Sequence, residues 1–369
     1  MELSLCMIVR NEEERLSACL QSVCDAVDEI VILDTGSTDR TKEIAARYTA
    51  QVYDYTWQED FAAARNASFA LATRPYILWL DADDVVDSQE LEKLIALKQR
   101  LDGSIDAVMM PYHYAFSQDG TPSLVFDRER IVRREAGFAF AGAVHEAISV
   151  SGSVIRENIV IRHTGKHGAD SNARNLRIYA AQMVRGERLS PRDQYYYARE
   201  LKSAGRLEQA EQAFAAFLSE VGWQVNRLDA QIQRAECLLH MGRLKEAKQA
   251  CLSALECGAP HAEALCVLGA CFLEEDDLQA AEHWYRAALL CRMPQDKRSF
   301  VSPQAYGYIP LMQLCVILSR LGDDVQASRM NEQALLLQPG DPAALYNRAY
   351  FTEKLKKDRQ NQEKPGWEE

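Results

Sequence analysis

A seven-residue pattern recurs four times in the second half of this 369-residue chain: Ala-Gly-Arg-Leu-Glu-Gln-Ala at 204–210, Met-Gly-Arg-Leu-Lys-Glu-Ala at 241–247, Glu-Asp-Asp-Leu-Gln-Ala-Ala at 275–281 and Leu-Gly-Asp-Asp-Val-Gln-Ala at 321–327. The copies start 37, 34 and 46 residues apart. Four residues after the closing alanines, Ala210, Ala247, Ala281 and Ala327, stand Phe214, Cys251, Tyr285 and Asn331. Seven residues after them stand Phe217, Ala254, Ala288 and Ala334. Positions i, i+4 and i+7 share one face of a helix. A unit of this length cannot bury its own apolar face, so successive copies must stack on one another as helix pairs. Strand patterns vanish from about 190 onward, and Pro260, Pro294 and Pro339 punctuate the ends of units. The surplus of the long third interval falls on 292–310 and is expected to form a loop.

The first ~110 residues read differently. Apolar runs at 3–9, 29–33, 50–53, 76–80 and 107–112 alternate with helical patterns near 12–25, 39–48, 60–72 and 88–101. That alternation is the signature of strands joined by crossover helices in a parallel sheet. Asp87 with Glu90 predicts a capping box at the last of these helices, and Thr38 or Asp39 a cap for the helix before Ile44. Shorter β-like pieces follow at 124–126, 131–132, 153–155 and 159–161. The organisation expected is an α/β domain over 1–185, an all-α repeat solenoid over 190–355, and a polar, disordered tail over 356–369.

Composition narrows the function classes. Forty-two Lys and Arg against 54 Asp and Glu give a net charge of −12, the wrong sign for holding nucleic acid or an anionic membrane by bulk charge. The longest apolar run, 264–273, is about half of the ~20 residues needed to span a bilayer, so no membrane insertion is expected. The N-terminus lacks the basic-then-apolar pattern of a signal peptide, which points to a cytoplasmic protein. Ten cysteines without a C-x-x-C pair fit neither a disulfide framework nor a zinc site and are expected to be reduced, buried apolar residues.

The chemistry concentrates where apolar strands end. Residues 76–84 read Tyr-Ile-Leu-Trp-Leu-Asp81-Ala-Asp83-Asp84, which places an Asp-x-Asp at the carboxyl edge of a strand, where open α/β sheets bind ligands. Carboxylates so crowded call for a cation, and hard oxygen ligands suit Mg2+ or Mn2+, which can hold a diphosphate. Helix capping is the competing role, but Asp87 or Ser88 is better placed for it. Met-Ile-Val-Arg-Asn11-Glu12-Glu ends the first strand, and Ile-Leu-Asp34-Thr-Gly36-Ser37-Thr-Asp39 ends the second. A carboxylate there can hydrogen-bond a base or ribose, and Gly36 permits a tight turn. Arg65, in Phe-Ala-Ala-Ala-Arg-Asn-Ala, precedes the Asp-x-Asp strand. No Gly-x-Gly-x-x-Gly or Walker loop is present, which disfavours dinucleotide enzymes and P-loop ATPases.

Val-Arg-Asn-Glu, Asp-Thr-Gly-Ser-Thr-Asp, Ala-Arg-Asn and Leu-Asp-Ala-Asp-Asp, in this order over about 1–165, resemble the family 2 glycosyltransferases of GT-A fold, with a Rossmann-like mixed sheet. The segment 195–350 resembles the tetratricopeptide repeats. The first resemblance implies a UDP-sugar donor whose base and ribose meet Asn11, Glu12 and Asp34, with Arg65 and Asp81 contributing. It implies Asp83 as the preferred metal ligand with Asp81 beside it, and Mn2+ or Mg2+ as the ion. Transfer in that family inverts the anomeric centre, so a base must take the acceptor proton. The usual Glu-Asp pair is missing at its place. Gly142-Ala-Val-His145-Glu146 stands instead, with Glu146 as base, raised by desolvation, and His145 as its positioner or a phosphate contact; a purely structural pair is the competing reading. His163, ending a β-like run, is implied as a second metal ligand or a diphosphate donor, and Lys166 or Arg133 as phosphate neutralisers.

A GT-A domain followed by tetratricopeptide repeats is similar to bacterial enzymes that glycosylate peptides or proteins, including the sublancin-type S-glycosyltransferases. The first domain would hold the donor and the repeats an acceptor peptide bearing a Ser/Thr hydroxyl or Cys thiol, raising its local concentration. The competing role for the repeats is to shape a homodimer or brace the first domain. The competing readings are transfer to a lipid-linked or polysaccharide acceptor, a nucleotidyltransferase, and a non-catalytic repeat scaffold.

Overall fold

The computed structural model describes residues 1–369 except 117–121, 166–168, 221–223, 225, 259, 295–300 and 363–369. It divides into two units, Met1–Tyr196 and Tyr197–Glu369. The first contains β1 (Leu3–Val9), α1 (Leu16–Val23), β2 (Glu29–Asp34), α2 (Thr41–Ala45), β3 (Val52–Asp54), α3 (Phe61–Leu71), β4 (Tyr76–Trp79), β5 (Asp84–Val85), α4 (Ser88–Arg100), β6 (Ala107–Phe116) and β7 (Pro122–Arg133). β8 (Phe140–Ala141), β9 (Ala147–Ile148), β10 (Val154–Arg156), β11 (Ile161–His163), α5 (Ala169–Val184) and the start of α6 (Pro191–Ser203) complete it.

β3, β2, β1 and β4 run parallel, as the alternating pattern requires. β7 then enters antiparallel between β4 and β6, β11 lies parallel to β6, β5 closes the edge, and β10 pairs with β6. The sheet is mixed. β8 and β9 form a separate two-stranded hairpin. The pieces expected at 124–126 and 131–132 are one twelve-residue strand, whose charged stretch Asp127 to Arg130 interrupts the apolar pattern while its backbone stays paired to β6. Both faces are covered: Leu3, Leu5, Met7 and Val9 pack with Leu16, Leu20 and Leu94 on one side, and Cys6, Ile77 and Trp79 pack with Phe69 and Phe140 on the other. This two-sided burial explains why β1 and β4 read as unbroken apolar runs.

Local caps follow the sequence only in part. Asp39 accepts from the Thr41 amide at 3.0 Å, but the cap position of α2 falls on Arg40, which makes no side-chain capping bond. The capping box at α4 does not form. Asp87 turns to Arg162 at 3.0 Å, and Glu90 accepts from the Val160 amide at 2.7 Å, so both carboxylates tie α4 to the last strands.

The second unit carries α7 (Leu207–Ser219), α8 (Arg227–His240), α9 (Leu244–Leu255), α10 (Ala262–Glu274), α11 (Leu278–Leu290), α12 (Tyr308–Arg320), α13 (Asp324–Leu337) and α14 (Pro342–Gln362). The recurring positions form its core, since Ala210, Phe214, Phe217, Ala247, Cys251, Ala254, Ala281, Tyr285, Ala288, Ala327 and Ala334 are all buried. Asn331, the departure from the aromatic position, is completely buried and donates to the Ala344 carbonyl at 2.8 Å, binding α13 to α14. α14 continues to Gln362, so the polar stretch from 356 begins as helix; 363–369 lie outside the described residues. All ten cysteines are free and seven are buried; Cys24, Cys257 and Cys291 are not.

Two expected outcomes test this fold. Glu29, at the start of β2, accepts from Ser4 (2.5 Å), the Thr73 amide and hydroxyl (both 2.8 Å) and Gln51 (3.3 Å). Burial opposes its charge, but these bonds hold its pKa at about 2. A depressed pKa stabilises the fold above the unfolded value and is lost as pH falls through the folded one. Glu29→Gln is expected to cost about 2 kcal/mol at neutral pH in denaturant titrations. Its deficit against wild type should shrink as pH falls from about 4.5 toward 2. In the repeats, a Cβ on Gly269 would stand 2.8 Å from the Tyr285 ring. Gly269→Val is expected to lower the melting temperature, overpacking costing about 1–3 kcal/mol.

Candidate active site

Three loops meet at the carboxyl edge of β1, β2 and β4. Asn11 adopts a left-handed backbone (φ 56°). Its amide donates to Ser37 Oγ at 2.9 Å and its side-chain oxygen accepts from the Thr38 amide at 2.8 Å. Glu12 donates its amide to Thr41 Oγ1 at 2.7 Å. These bonds suture the first motif to the second. Asp34 Oδ1 accepts from the Gly36 and Ser37 amides at 2.9 and 2.8 Å, an Asx turn that Gly36 closes at φ 106°. Its Oδ2 is buried with no hydrogen-bond partner, a demand for a donor such as a nucleoside N–H or hydroxyl supplies. These bonds place Asn11, Glu12 and Asp34 on one sheet edge.

The Asp-x-Asp-Asp segment separates into three jobs. Asp84 is completely buried and faces the equally buried Arg130 at 3.0 Å. It also accepts from the Tyr112 hydroxyl at 2.8 Å and the Asp81 amide at 3.0 Å. Asp81 turns to Arg65 at 2.6 Å, and the same guanidinium donates to Glu146 at 2.6 Å while lying over Trp79 and Phe140. Against the cost of burial, Arg65, then Arg130 and Arg128, hold Asp81 down at about 2. Asp83 remains: its Oδ1 lies 3.4 Å from His163 Nδ1, which also meets the Tyr112 hydroxyl at 3.0 Å. Burial works against a charged imidazole, but bonds to Asp83 and Asp84 outweigh it and raise His163 to about 9.

Among the described residues, Asp83, Asp84 and His163 form a cluster that could hold a metal ion, their ligand atoms within 4.8 Å of one another. The expected set was Asp83, Asp81 and His163. Asp81 is committed to Arg65 instead, and Asp84 takes its place in the cluster. Asp84 already serves Arg130 and Tyr112, which leaves Asp83 and His163 as the groups with capacity for an ion. The donor set suits Mn2+ or Mg2+. Gly165 makes the site possible, since a Cβ there would sit 2.1 Å from Asp83 Oδ2 and 2.8 Å from the His163 ring. Glu12 adds to the demand for a cation: burial first, then Asp83, raises its pKa.

Other expectations change. Arg65 does not reach out to a ligand alone; it is buried and bridges Asp81 to Glu146. Glu146 is not an unpaired desolvated carboxylate, because that bridge neutralises it. His145 points away to stack on Tyr196, ring centroids 4.4 Å apart. Arg133 pairs with Asp106 at 2.6 Å and sits opposite Tyr76, at the far end of β4 from the site. Lys166 lies outside the described residues. Sequence reasoning missed Arg128 and Arg130. Their i, i+2 spacing in a strand is the signal that both face the same side. Leu78 pairs with Ile131, a register that sets Arg128 across from Asp81. Arg128 lies 4.8 Å above Trp79 and is half-buried, with Glu129 at 3.8 Å its ion-pair partner among the described residues.

Residues 4–118 match the family "Glycosyl transferase family 2". The match lies within the first unit and marks its N-terminal part as a family 2 glycosyltransferase domain. The chain is 30% identical over 217 residues to the SPbeta prophage-derived glycosyltransferase SunS of Bacillus subtilis, covering 55% of this chain and 50% of that one. It is 50% identical over 101 residues to a TPR repeat-containing protein of Synechococcus elongatus, 27% of this chain and 24% of that one. It is also 28% identical over 159 residues to the lipopolysaccharide core biosynthesis glycosyltransferase LpsC of Rhizobium meliloti, 41% of this chain and 58% of that one. The chain spans from a quarter to just over half the length of these relatives. No helix among the described residues is long and apolar enough to cross a membrane.

Asp83 and Asp84 can be separated experimentally. Asp83→Asn should weaken Mn2+ binding at least tenfold by titration calorimetry while leaving the thermal melt unchanged. Asp84→Asn should destabilise the first unit by about 3–5 kcal/mol, because it strands the buried Arg130 charge.

Proposed function

We propose that this chain is an inverting, metal-dependent glycosyltransferase that moves a sugar from a UDP-sugar to a Ser/Thr hydroxyl or Cys thiol of a peptide or protein held by the repeats. The observation that carries the reading is the arrangement of Asp83 and His163 beside the Arg65-bridged pair Asp81 and Glu146, on the carboxyl edge of a family 2 sheet. Asn11, Glu12 and the unpartnered oxygen of Asp34 receive the nucleoside. Asp83 and His163 hold Mn2+ or Mg2+, which when bound takes up diphosphate charge. Arg128, across from Asp81 and weakly paired, meets the departing diphosphate. Glu146 takes the acceptor proton as the acceptor atom bonds to the anomeric carbon and the bond to the diphosphate breaks on the opposite face.

The likeness to SunS and to a repeat protein supports a peptide acceptor, and a thiol of pKa near 8.5 asks less of a base than a hydroxyl. The free cysteines suit a reducing cytoplasm. The likeness to LpsC favours a second reading in which the acceptor is a saccharide.

Incubating the chain with a panel of UDP-sugars and Mn2+ should release UDP from one of them, and Asp83→Ala should lose at least a hundredfold of that rate. Adding Cys- and Ser-containing peptides, then oligosaccharides, identifies the acceptor by mass. Absence of both release and UDP-sugar binding in wild type would defeat the proposal.

A further inference from the structure

Glu146 sits in a five-residue loop, 142–146, at the tip of the hairpin made by β8 and β9. The loop passes through two left-handed positions: Gly142 at φ 95°, which glycine adopts freely, and His145 at φ 53°, where a side chain makes the conformation costly. A non-glycine residue in the left-handed region costs about 1–2 kcal/mol and persists only where its surroundings impose it. One side of the loop is held by the glycosyltransferase core, where the Phe61 amide donates to the Ala143 carbonyl at 2.9 Å. The other side is held by the first two turns of α6, residues that belong to the first unit. Arg192 donates to the His145 carbonyl at 2.6 Å. The His145 ring stacks on Tyr196 at 23°, and the Arg192 guanidinium lies 4.7 Å from the centroid of that tyrosine. Asp193, buried and bonded to Ser190 at 2.6 Å, lies so close to Gly142 that a Cβ there would come within 3.3 Å of its carboxylate.

We propose that Arg192 and Tyr196 form a clamp that sets the 142–146 loop and so places the Glu146 carboxylate on Arg65 and beside the reacting centre. They are positioning residues, acting through His145. The clamp compensates the strain at His145 by a charge-assisted hydrogen bond and a ring stack, neither of which the hairpin supplies by itself. Without it His145 relaxes toward ordinary φ, Glu146 leaves Arg65, and Asp81 loses the geometry of its bridge. The catalytic consequence rests on the proposed role of Glu146; the structural one does not.

The test uses the full chain with Arg192→Ala and Tyr196→Leu, and Arg192→Lys and Tyr196→Phe as conservative partners. Hydrogen exchange should quicken at least tenfold at Phe61 and across 142–148 in the first two variants, return toward wild type in the second two, and leave β1, β2 and β4 unchanged. UDP-sugar turnover should show kcat reduced at least tenfold with KM for the donor within about twofold. Unchanged exchange across the loop in both disruptive variants overturns the clamp. Faster exchange with unaltered kcat overturns its catalytic role. A wild type with no turnover on any sugar nucleotide defeats the proposed function, and the exchange data still decide the clamp.

Discussion

Everything at the sheet edge hangs on one ion pair with no access to water, Asp84 with Arg130. Burying two charges costs several kcal/mol per ion unless each is met by further polar partners. Asp84 has them in the Tyr112 hydroxyl and the Asp81 amide, whereas Arg130 has the Trp79 carbonyl at 3.3 Å and the faces of Trp79 and Tyr112, its Nε and Nη2 making no hydrogen bond. The pair welds β7 to the end of β4 and fixes the backbone of residues 81–84. With Asp84 turned inward, Asp81 and Asp83 project toward different neighbours. The division of labour among the three aspartates follows from that anchor.

Charge is then distributed outward in a graded way. Arg130 is neutralised inside, Arg65 is shared between Asp81 and Glu146 at the boundary, and half-buried Arg128 has Glu129 at the longer distance of 3.8 Å. On the acidic side, Asp84 is satisfied, Asp81 is held charged, and Asp83 and Glu12 press on one another. Such a gradient leaves a local excess of negative charge where a cation would sit, and positive charge where an anion would leave. Trp79 serves as the common surface for the three guanidiniums, donating its own N–H to the Glu129 carbonyl at 2.6 Å.

In the repeats a different economy operates. Alanine, glycine and cysteine at the close-packing positions let helices approach, and aromatics at the neighbouring position fill the space so opened, as Tyr285 does over Gly269. Asn331 shows that the pattern tolerates a polar residue where a backbone carbonyl of the next helix, Ala344, receives it. The repeat register was legible because stacking imposes a chemical identity at fixed intervals. The repeat pattern assigns residues 190–196 to the solenoid, yet Arg192 and Tyr196 pack on the 142–146 loop of the first unit, since a helical pattern says which face is apolar and nothing about what it meets.

Sequence alone determined the elements and their edge: the runs that became β1, β2 and β4, the motifs at their ends, and the phase of the helix pairs. Periodicity and turn chemistry are local, so they survive in the order of residues. Tertiary structure decided which charge meets which. The insertion of β7 between β4 and β6 brings Arg128 and Arg130 to the aspartates, β11 brings His163 to Asp83, and the hairpin brings Glu146 to Arg65. Those meetings join residues far apart in the chain, and they are chosen by the burial of both sheet faces and the need of each buried charge for a partner, which no local pattern encodes.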